Sequence, residues 1–432
     1  NINLENLRNR VKRMFYHGYK NYMSKAFPMD ELSPISCAGS IQKQTGGSML
    51  TLIDTLDTLV VLGDYDEFVK GVRTVSDMAS YKLDQNISVF ETNIRILGGL
   101  LSAHILALDR RELGITEAFL NSPPHLPYDG KLLDLALDLG DRLIPAFETK
   151  TGIPYGTVNL MKGVPPKETS ISSLAGAGTL YLELGLLSSL SRDPKYAEIS
   201  RRGMVELFSR RNKKTDLFGA HIDTKTGSWT EAHAGIGSNA DSFYEYLLKC
   251  YILFDDVDMF YMFREAYDAV LLHLKQGPWY RDAQIRDGGN VRTQYNNLQA
   301  FWPGLQMDIG HVSDAVDSLN VIHSLWRKYG FTPEHYDWQK RRLIGTSGRR
   351  EYPLRPEMIE SIYHVHEYFK SHGDAAVAAS WIEAGKVVLE SLETTRVNCG
   401  YAAVKNVETK ELEDNMPSFF LSETLKYLYL LF

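Results

Sequence analysis

Long apolar runs are missing from this chain: no uninterrupted hydrophobic stretch reaches membrane-spanning length, so no transmembrane helix is expected. Basic clusters are missing as well. A net charge of −7 without long like-charge runs argues against a nucleic-acid partner, which calls for a basic patch or stripe. Cysteine is scarce, with three residues, too few for a disulfide scaffold and without the paired spacing of a zinc site. No G-x-S-x-G nucleophile elbow occurs, and the glycine-rich "GAGTLYLELG" follows no strand, so its small residues are read as close helix packing instead of a phosphate loop. The chain opens at "NINLENLRNRVKRMFY" with no basic-then-apolar segment, so any targeting peptide has been removed or was never there.

Hydrophobic residues, by contrast, make up 44% of the chain and aromatic residues 11%, enough for a large buried core. Helical periodicity runs from start to finish and predicts about fourteen helices, near 5–26, 49–62, 66–81, 88–108, 130–147, 168–190, 194–210, 238–254, 257–275, 294–309, 312–329, 355–369, 373–391 and 418–432. Hairpins are expected at "GIPYGTVNL", "FGAHIDTKTGSW" and "GYAAVKNVETKEL". Odd-numbered helices are amphipathic: "DPKYAEISRRGMVELFSRR" starts with an Asp193 cap and carries Lys195, Glu198, Arg201, Arg202 and Glu206. Even-numbered ones are apolar nearly all round; the segment between Glu168 and Arg192 holds a single charge, Glu183. Such alternation implies outer helices around inner ones. Both a closed ring of seven hairpins and an open solenoid satisfy it.

The few charges on the inner helices are mostly carboxylates near helix starts. They are Glu91 and Arg95 in "VFETNIRILGG", Asp241 and Glu245 in "SNADSFYEYLLK", and Arg355, Glu357 and Glu360 in "YPLRPEMIESIY", with Glu183 and Glu423 deeper in theirs. Plain structural readings exist: Pro356 with its two glutamates is ordinary helix-start chemistry, and Glu91–Arg95 and Glu245–Lys249 are spaced to pair on a helix. In a ring, however, these starts converge on one mouth of a central cavity, and buried acids there need arginines, a cation or a function. Paired carboxylates suit glycosidic cleavage, in which one acid protonates the leaving oxygen and another carboxylate activates water. Phe419 in "MPSFFLSETLKYLYLLF" could pack against a sugar ring, although core packing is the default reading of such an aromatic taken singly. His364 and His366 lie two apart on different helix faces and are not read as a metal pair.

Cys250 reads as a buried thiol in "YLLKCYILF", whereas Cys37 and Cys399 lie in turn-like sequence near the two ends, where a bridge would tie the termini together. One acceptor pattern for N-glycosylation, Asn86-Ile87-Ser88, points towards a secretory compartment.

At these residues the sequence resembles the class I α-1,2-mannosidases, glycoside hydrolase family 47. The resemblance runs through "LTLIDTLDTL", "VFETNIRILGGLLSAH", "GIPYGTVNL", "ADSFYEYLLK", "YPLRPEMIES" and "SETLKYLYLLF". It implies an all-α (α/α)7 barrel and a single catalytic domain over residues 1–432. It also implies Ca2+-dependent inverting hydrolysis of terminal α-1,2-linked mannose from high-mannose N-glycans. By matching motif, Glu91 would be the general acid, Glu357 the general base and Asp241 a third catalytic carboxylate. Arg95, Glu183, Arg355 and Phe419 would contact sugar, and Glu360 and Glu423 would lie in a water-mediated calcium shell.

Within the family, the chain looks most like the endoplasmic-reticulum degradation-enhancing α-mannosidase-like proteins, and there like the fungal members. That subgroup implies residence in the endoplasmic reticulum lumen, marking of misfolded glycoproteins for disposal and a protein disulfide isomerase partner; it also pairs Cys37 with Cys399. Three departures stand out. Asn239 replaces an arginine that helps processing mannosidases choose the sugar branch, and Pro417 replaces a usual glutamate. The family's calcium-binding threonine lies beyond Phe432, so truncation of the domain before that ligand is expected. The rival reading is a mannose-binding, lectin-like receptor that holds misfolded glycoproteins without cutting them. A helical-repeat scaffold is a third.

Overall fold

Outer and inner helices alternate along the chain as seven successive pairs in the computed structural model, which describes residues 3–108, 128–346 and 348–432. The first pair is α1 (Leu4–Asn21) and α2 (Leu50–Val61). In the second, α3 (Tyr65–Met78) precedes an inner helix built from α4 (Val89–Glu91), a π turn (Thr92–Leu97) and α5 (Gly98–Leu108). In the third, α6 (Lys131–Leu143) precedes α7 (Leu174–Gly178) and α8 (Tyr181–Ser191). Next come α9 (Lys195–Ser209) with α10 (Asp241–Phe254), then α11 (Val257–His273) with a 3-10 turn (Asn297–Phe301) running into α12 (Trp302–Asp308). The last pairs are α13 (Val312–Tyr329) with α14 (Glu357–Ser371), and α15 (Ala375–Glu393) with a π turn (Phe420–Thr424) leading into α16 (Leu425–Leu431).

Local chemistry starts the outer helices. Asn3 Oδ1 accepts from the Asn6 N–H at 2.9 Å, and Asp64 and Asp374 cap α3 and α15 in the same way. Each then buries one stripe, such as Leu7, Val11, Met14 and Phe15 of α1. The inner helices pack on one another in order, α2 on α5, α5 on α8, α8 on α10, α10 on the 3-10 turn, α12 on α14 and α14 on α16. The π turn before α16 then packs back on α2. That last contact closes the ring and excludes the open solenoid: the fold is an (α/α)7 barrel. Tight inner packing explains the glycine-rich stretch, because a Cβ on Gly178 would lie 2.4 Å from a ring carbon of Phe243.

Short strands gather just ahead of the inner helices and frame the end of the barrel where those helices begin. The hairpins His221–Asp223 with Ser228–Glu231, and Ala403–Asn406 with Glu411–Glu413, form where turn chemistry predicts them. "GIPYGTVNL" forms no local hairpin. Its strand Thr157–Asn159 pairs instead with the distant Asn86–Ser88, because the alternating residues find their partner across the mouth. The helix expected over 168–190 is also broken: Ile171–Ser173 is a strand, and the chain kinks between α7 and α8 at Thr179 (φ −112°, ψ 58°). Thr179 is held there by the Ser242 hydroxyl at 2.8 Å and by Asn93 Nδ2, which donates to its carbonyl.

Cys37 and Cys399 form a disulfide across 362 positions of sequence, and Cys250 is a buried free thiol. The bridge fastens the loop before α2 to the loop after α15. Loop-entropy arithmetic sets its ceiling at roughly 6 kcal/mol, with native strain and residual denatured structure subtracting from it. A Cys37→Ser, Cys399→Ser variant is therefore expected to melt well below the parent, and calorimetry on both proteins with and without reductant measures the difference.

Candidate active site

A cavity of about 600 Å³ opens where the inner helices begin. Seven carboxyl groups line it, those of Asp54, Glu91, Asp241, Glu245, Glu357, Glu360 and Glu423, against three cations, Arg95, Lys249 and Arg355. The excess of acid in a buried setting controls the electrostatics. Unpaired buried charge is expensive, so some of these groups hold protons or await a cation.

Local backbone devices aim the acids. Glu91 ends the single α-turn of α4, capped by Ser88, and the following π turn carries Arg95 round to it, with Nε donating to Glu91 Oε2 at 2.7 Å. Arg95 also stands 4.0 Å from Asp54 and 5.2 Å above the Phe419 ring. A second π turn presents Glu423. π turns are rare and frequent at functional sites. Asp241 and Glu357 are the first residues of α10 and α14, and left-handed residues precede both: Asn239 at φ 72° and Leu354 at φ 61°. Leu354 is fully buried, and its carbonyl accepts from the Thr424 hydroxyl at 2.7 Å, a contact that holds an otherwise unfavourable backbone state.

Arg355 faces Glu357 and Asp241 but forms its two-pronged bond with Glu334, at 2.6 and 3.0 Å. Glu357 is left with one buried oxygen, Oε2, that has no hydrogen-bond partner. Burial pushes its carboxyl up to about 8; Arg355 opposes the rise, and Glu423 and Glu360 add to it. Burial likewise lifts Asp241 to about 7 against the Ser242 N–H, and Glu423 to about 7 against Arg95. Glu360 is also raised, by burial and by the Glu245 charge, while Tyr427 donates to it at 3.0 Å. Several acids beside this cavity are therefore protonated near neutrality.

Most of the sequence-derived residues converge here: Glu91, Asp241, Glu357, Arg95, Arg355, Phe419, Glu360 and Glu423 all line the one cavity. Glu183 does not. It sits behind the wall, accepting from Tyr246 Oη at 2.5 Å and Asn93 Nδ2 at 2.6 Å, so its carboxyl anchors the cavity-lining Tyr246. The helix pairs Glu91–Arg95 and Glu245–Lys249 do form, the latter at 2.6 Å, and both also face the cavity. Asn86 is exposed on its strand. Sequence reasoning passed over Asp54, Glu334 and Tyr427. Asp54 did leave a signal, since it and Asp57 are the only charges in the apolar "LTLIDTLDTLVV" of α2. It accepts from the Ser418 and Ser422 hydroxyls at 2.6 and 2.9 Å.

The profile of glycosyl hydrolase family 47 matches residues 14–432. Alpha-mannosidase I MNS4 of Arabidopsis thaliana is 44% identical over 427 residues, covering 99% of this chain and 65% of that protein. The ER degradation-enhancing alpha-mannosidase-like protein 2 of Homo sapiens is 41% identical, over 98% of this chain and 70% of that one. The chain thus spans about two thirds of the length of these relatives. Among solved structures, an alpha-1,2-mannosidase from Trichoderma reesei superposes with a TM-score of 0.84 at 26% identity, over 99% of this chain and 93% of that one.

Proposed function

This chain belongs to glycosyl hydrolase family 47, and from that premise we propose that it hydrolyses terminal α-1,2-linked mannose from high-mannose N-glycans. The trimming would mark misfolded glycoproteins for disposal from the endoplasmic reticulum lumen, in line with the printed names of its relatives. One observation carries the reading: Glu91, Asp241 and Glu357 share one cavity with the cations that could hold a sugar between them. In inverting cleavage the Glu91 carboxyl gives a proton to the leaving oxygen, and Glu357 takes one from the water that attacks the other face of the ring. Asp241, protonated up to about pH 7, is a proton carrier within the same cavity. Arg355 and Phe419 offer the bound mannose a donor and a ring face.

A second reading of the roles has its own support. Arg95 Nε bonds one oxygen of the Glu91 carboxyl, while Glu357 holds its proton to about pH 8. In the ligand-free cavity Glu357 thus carries a proton near neutrality and is placed to act as the acid.

Calcium bears on this choice. The oxygen-only, mutually repelling set of Glu357, Glu360 and Glu423, with one orphaned buried oxygen, suits a hard divalent cation. Among the described residues no group of three acids or histidines comes close enough to ligate a metal directly, so Glu360 and Glu423 would hold it through water. Such a cation supplies positive charge that lowers the pKa of neighbouring carboxyls. Beside such a charge Glu357 would hold its proton less firmly and could act as base. Chelating divalent ions from the full-length protein is expected to abolish mannose release and to lower the melting temperature, and millimolar calcium restores both. An unchanged melting curve refutes the calcium site.

Cys37 is partly exposed, which leaves the Cys37–Cys399 bridge reachable by a protein disulfide isomerase partner. The direct test of the function is free mannose released from a high-mannose glycoprotein, native and denatured, with calcium present. Sugar binding without release would establish the lectin reading instead.

A further inference from the structure

Thr179 stands where three parts of the catalytic cavity meet. It occupies the kink between α7 and α8, lines the cavity and is fully buried, and its carbonyl and hydroxyl both bond to other helices. The carbonyl accepts from Asn93 Nδ2 at 3.3 Å; Asn93 lies two residues after Glu91, on the π turn that also carries Arg95. The hydroxyl lies 2.8 Å from that of Ser242, the second residue of α10 and the neighbour of Asp241. Behind the wall the same network closes on itself. Asn93 Nδ2 also donates to Glu183 at 2.6 Å, and Glu183 accepts from Tyr246, which returns the path to α10.

Proton supply sets the direction of these bonds. Asp241 Oδ1 accepts from the Ser242 N–H at 2.8 Å and from the Ser242 hydroxyl at 3.4 Å. A hydroxyl has one proton to give. When Asp241 is ionised and Ser242 gives its proton to that carboxylate, the proton between the two hydroxyls must come from Thr179. Thr179 thereby holds the Ser242 hydroxyl with its hydrogen towards Asp241. The charged groups that face Asp241 are Glu245 of its own helix, which resists ionisation, and Arg355 from ahead of α14, which favours it. Beside that opposed pair, an aimed hydroxyl adds support to the ionised form.

We propose that Thr179 is a positioning residue: through one kink it fixes the turn that carries Glu91 against α10 and keeps the Ser242 hydroxyl aimed at Asp241. Inverting cleavage depends on how far apart its carboxyls are held, so a tie between their two segments bears on the rate without touching sugar. The inference rests on the hydrolase reading above. Thr179→Val keeps the shape of the side chain and removes the hydroxyl, whereas Thr179→Ser keeps the hydroxyl. Both are compared with the parent, with Ser242→Ala and with the double variant of Thr179→Val and Ser242→Ala, by steady-state mannose release from a high-mannose oligosaccharide, with calcium, across pH.

For Thr179→Val, kcat is expected to fall about tenfold, as for loss of one hydrogen bond, with KM held. Loss of the aimed donor disfavours the ionised carboxyl, so the limb of the pH profile that belongs to Asp241, near about 7 in the ligand-free cavity, moves to higher pH. Thr179→Ser recovers most of the rate, and Thr179→Val adds little to Ser242→Ala, because both break one path. A parent-like rate in Thr179→Val, a limb that stays in place, or full additivity of the two single losses overturns the proposal. A parent that releases no mannose overturns the hydrolase reading, and the proposal falls with it. Should Thr179→Val fail to fold, Ser242→Ala decides: the same fall and the same moved limb are expected, and a parent-like profile contradicts the proposal.

Discussion

Glu357→Gln is expected to lower mannose release by about 10²- to 10⁴-fold, the usual worth of a positioned acid or base, while making the folded protein more stable at alkaline pH. The first half follows from position. Glu357 begins α14 and faces the cavity; its carboxyl has Arg355 near it, and Glu334 occupies that arginine. An amide of the same shape can fill the space but cannot exchange a proton with water or a sugar oxygen.

The second half follows from linkage. Native Glu357 keeps its proton up to about 8, whereas an unfolded glutamate loses it near about 4.3. Between those values the native state binds a proton that the unfolded chain has released, so wild-type stability declines as pH rises through the window and levels off above it. Glutamine has no such proton. In cation-free buffer the variant should therefore melt above the parent at about pH 8, and the gap should close towards about pH 4.5. Melting curves across that range, beside activity at each pH, check both halves. A variant that loses activity and also melts lower at alkaline pH would show that Glu357 is structural.

Glu91→Gln is expected to cost a similar factor on the natural glycan but to regain most of its rate on α-mannosyl fluoride. Fluoride leaves without a proton, so a variant lacking only the general acid is spared, while one lacking the base that activates water is not. The two role assignments then separate cleanly. Rescue of Glu91→Gln and not of Glu357→Gln assigns the acid to Glu91. Rescue of Glu357→Gln alone assigns it to Glu357, as the proton held on Glu357 in the ligand-free cavity suggests. Steady-state rates on both substrates give the answer.

Much of this architecture is legible in the residues because burial writes itself into composition. Helices such as α8 and α12, apolar nearly all round, could only be interior, and the carboxylates at the starts of α10 and α14 could only meet at one mouth if the ring closed. Closure itself was not legible, since it depends on the contact between the first inner helix and the last. Periodicity also missed the π turns at Thr92–Leu97 and Phe420–Thr424, because one extra residue in a turn hardly disturbs an apolar pattern while swinging Arg95 and Glu423 into place. Glu334 was invisible for a different reason. It lies in a loop, and only the folded chain brings it to Arg355. Glu183 drew attention as a lone charge in an apolar helix, and the same loneliness is explained by its bonds to Tyr246 and Asn93 behind the wall.

The central claim is that the cavity acids cleave a mannosidic bond by direct attack of water. Time-resolved proton NMR of the mannose first released from a high-mannose glycoprotein, with calcium and before mutarotation, tests it most directly. The account predicts β-mannose as the initial product. Initial α-mannose, which requires a covalent intermediate on one of these carboxylates, or no release at all, would contradict it.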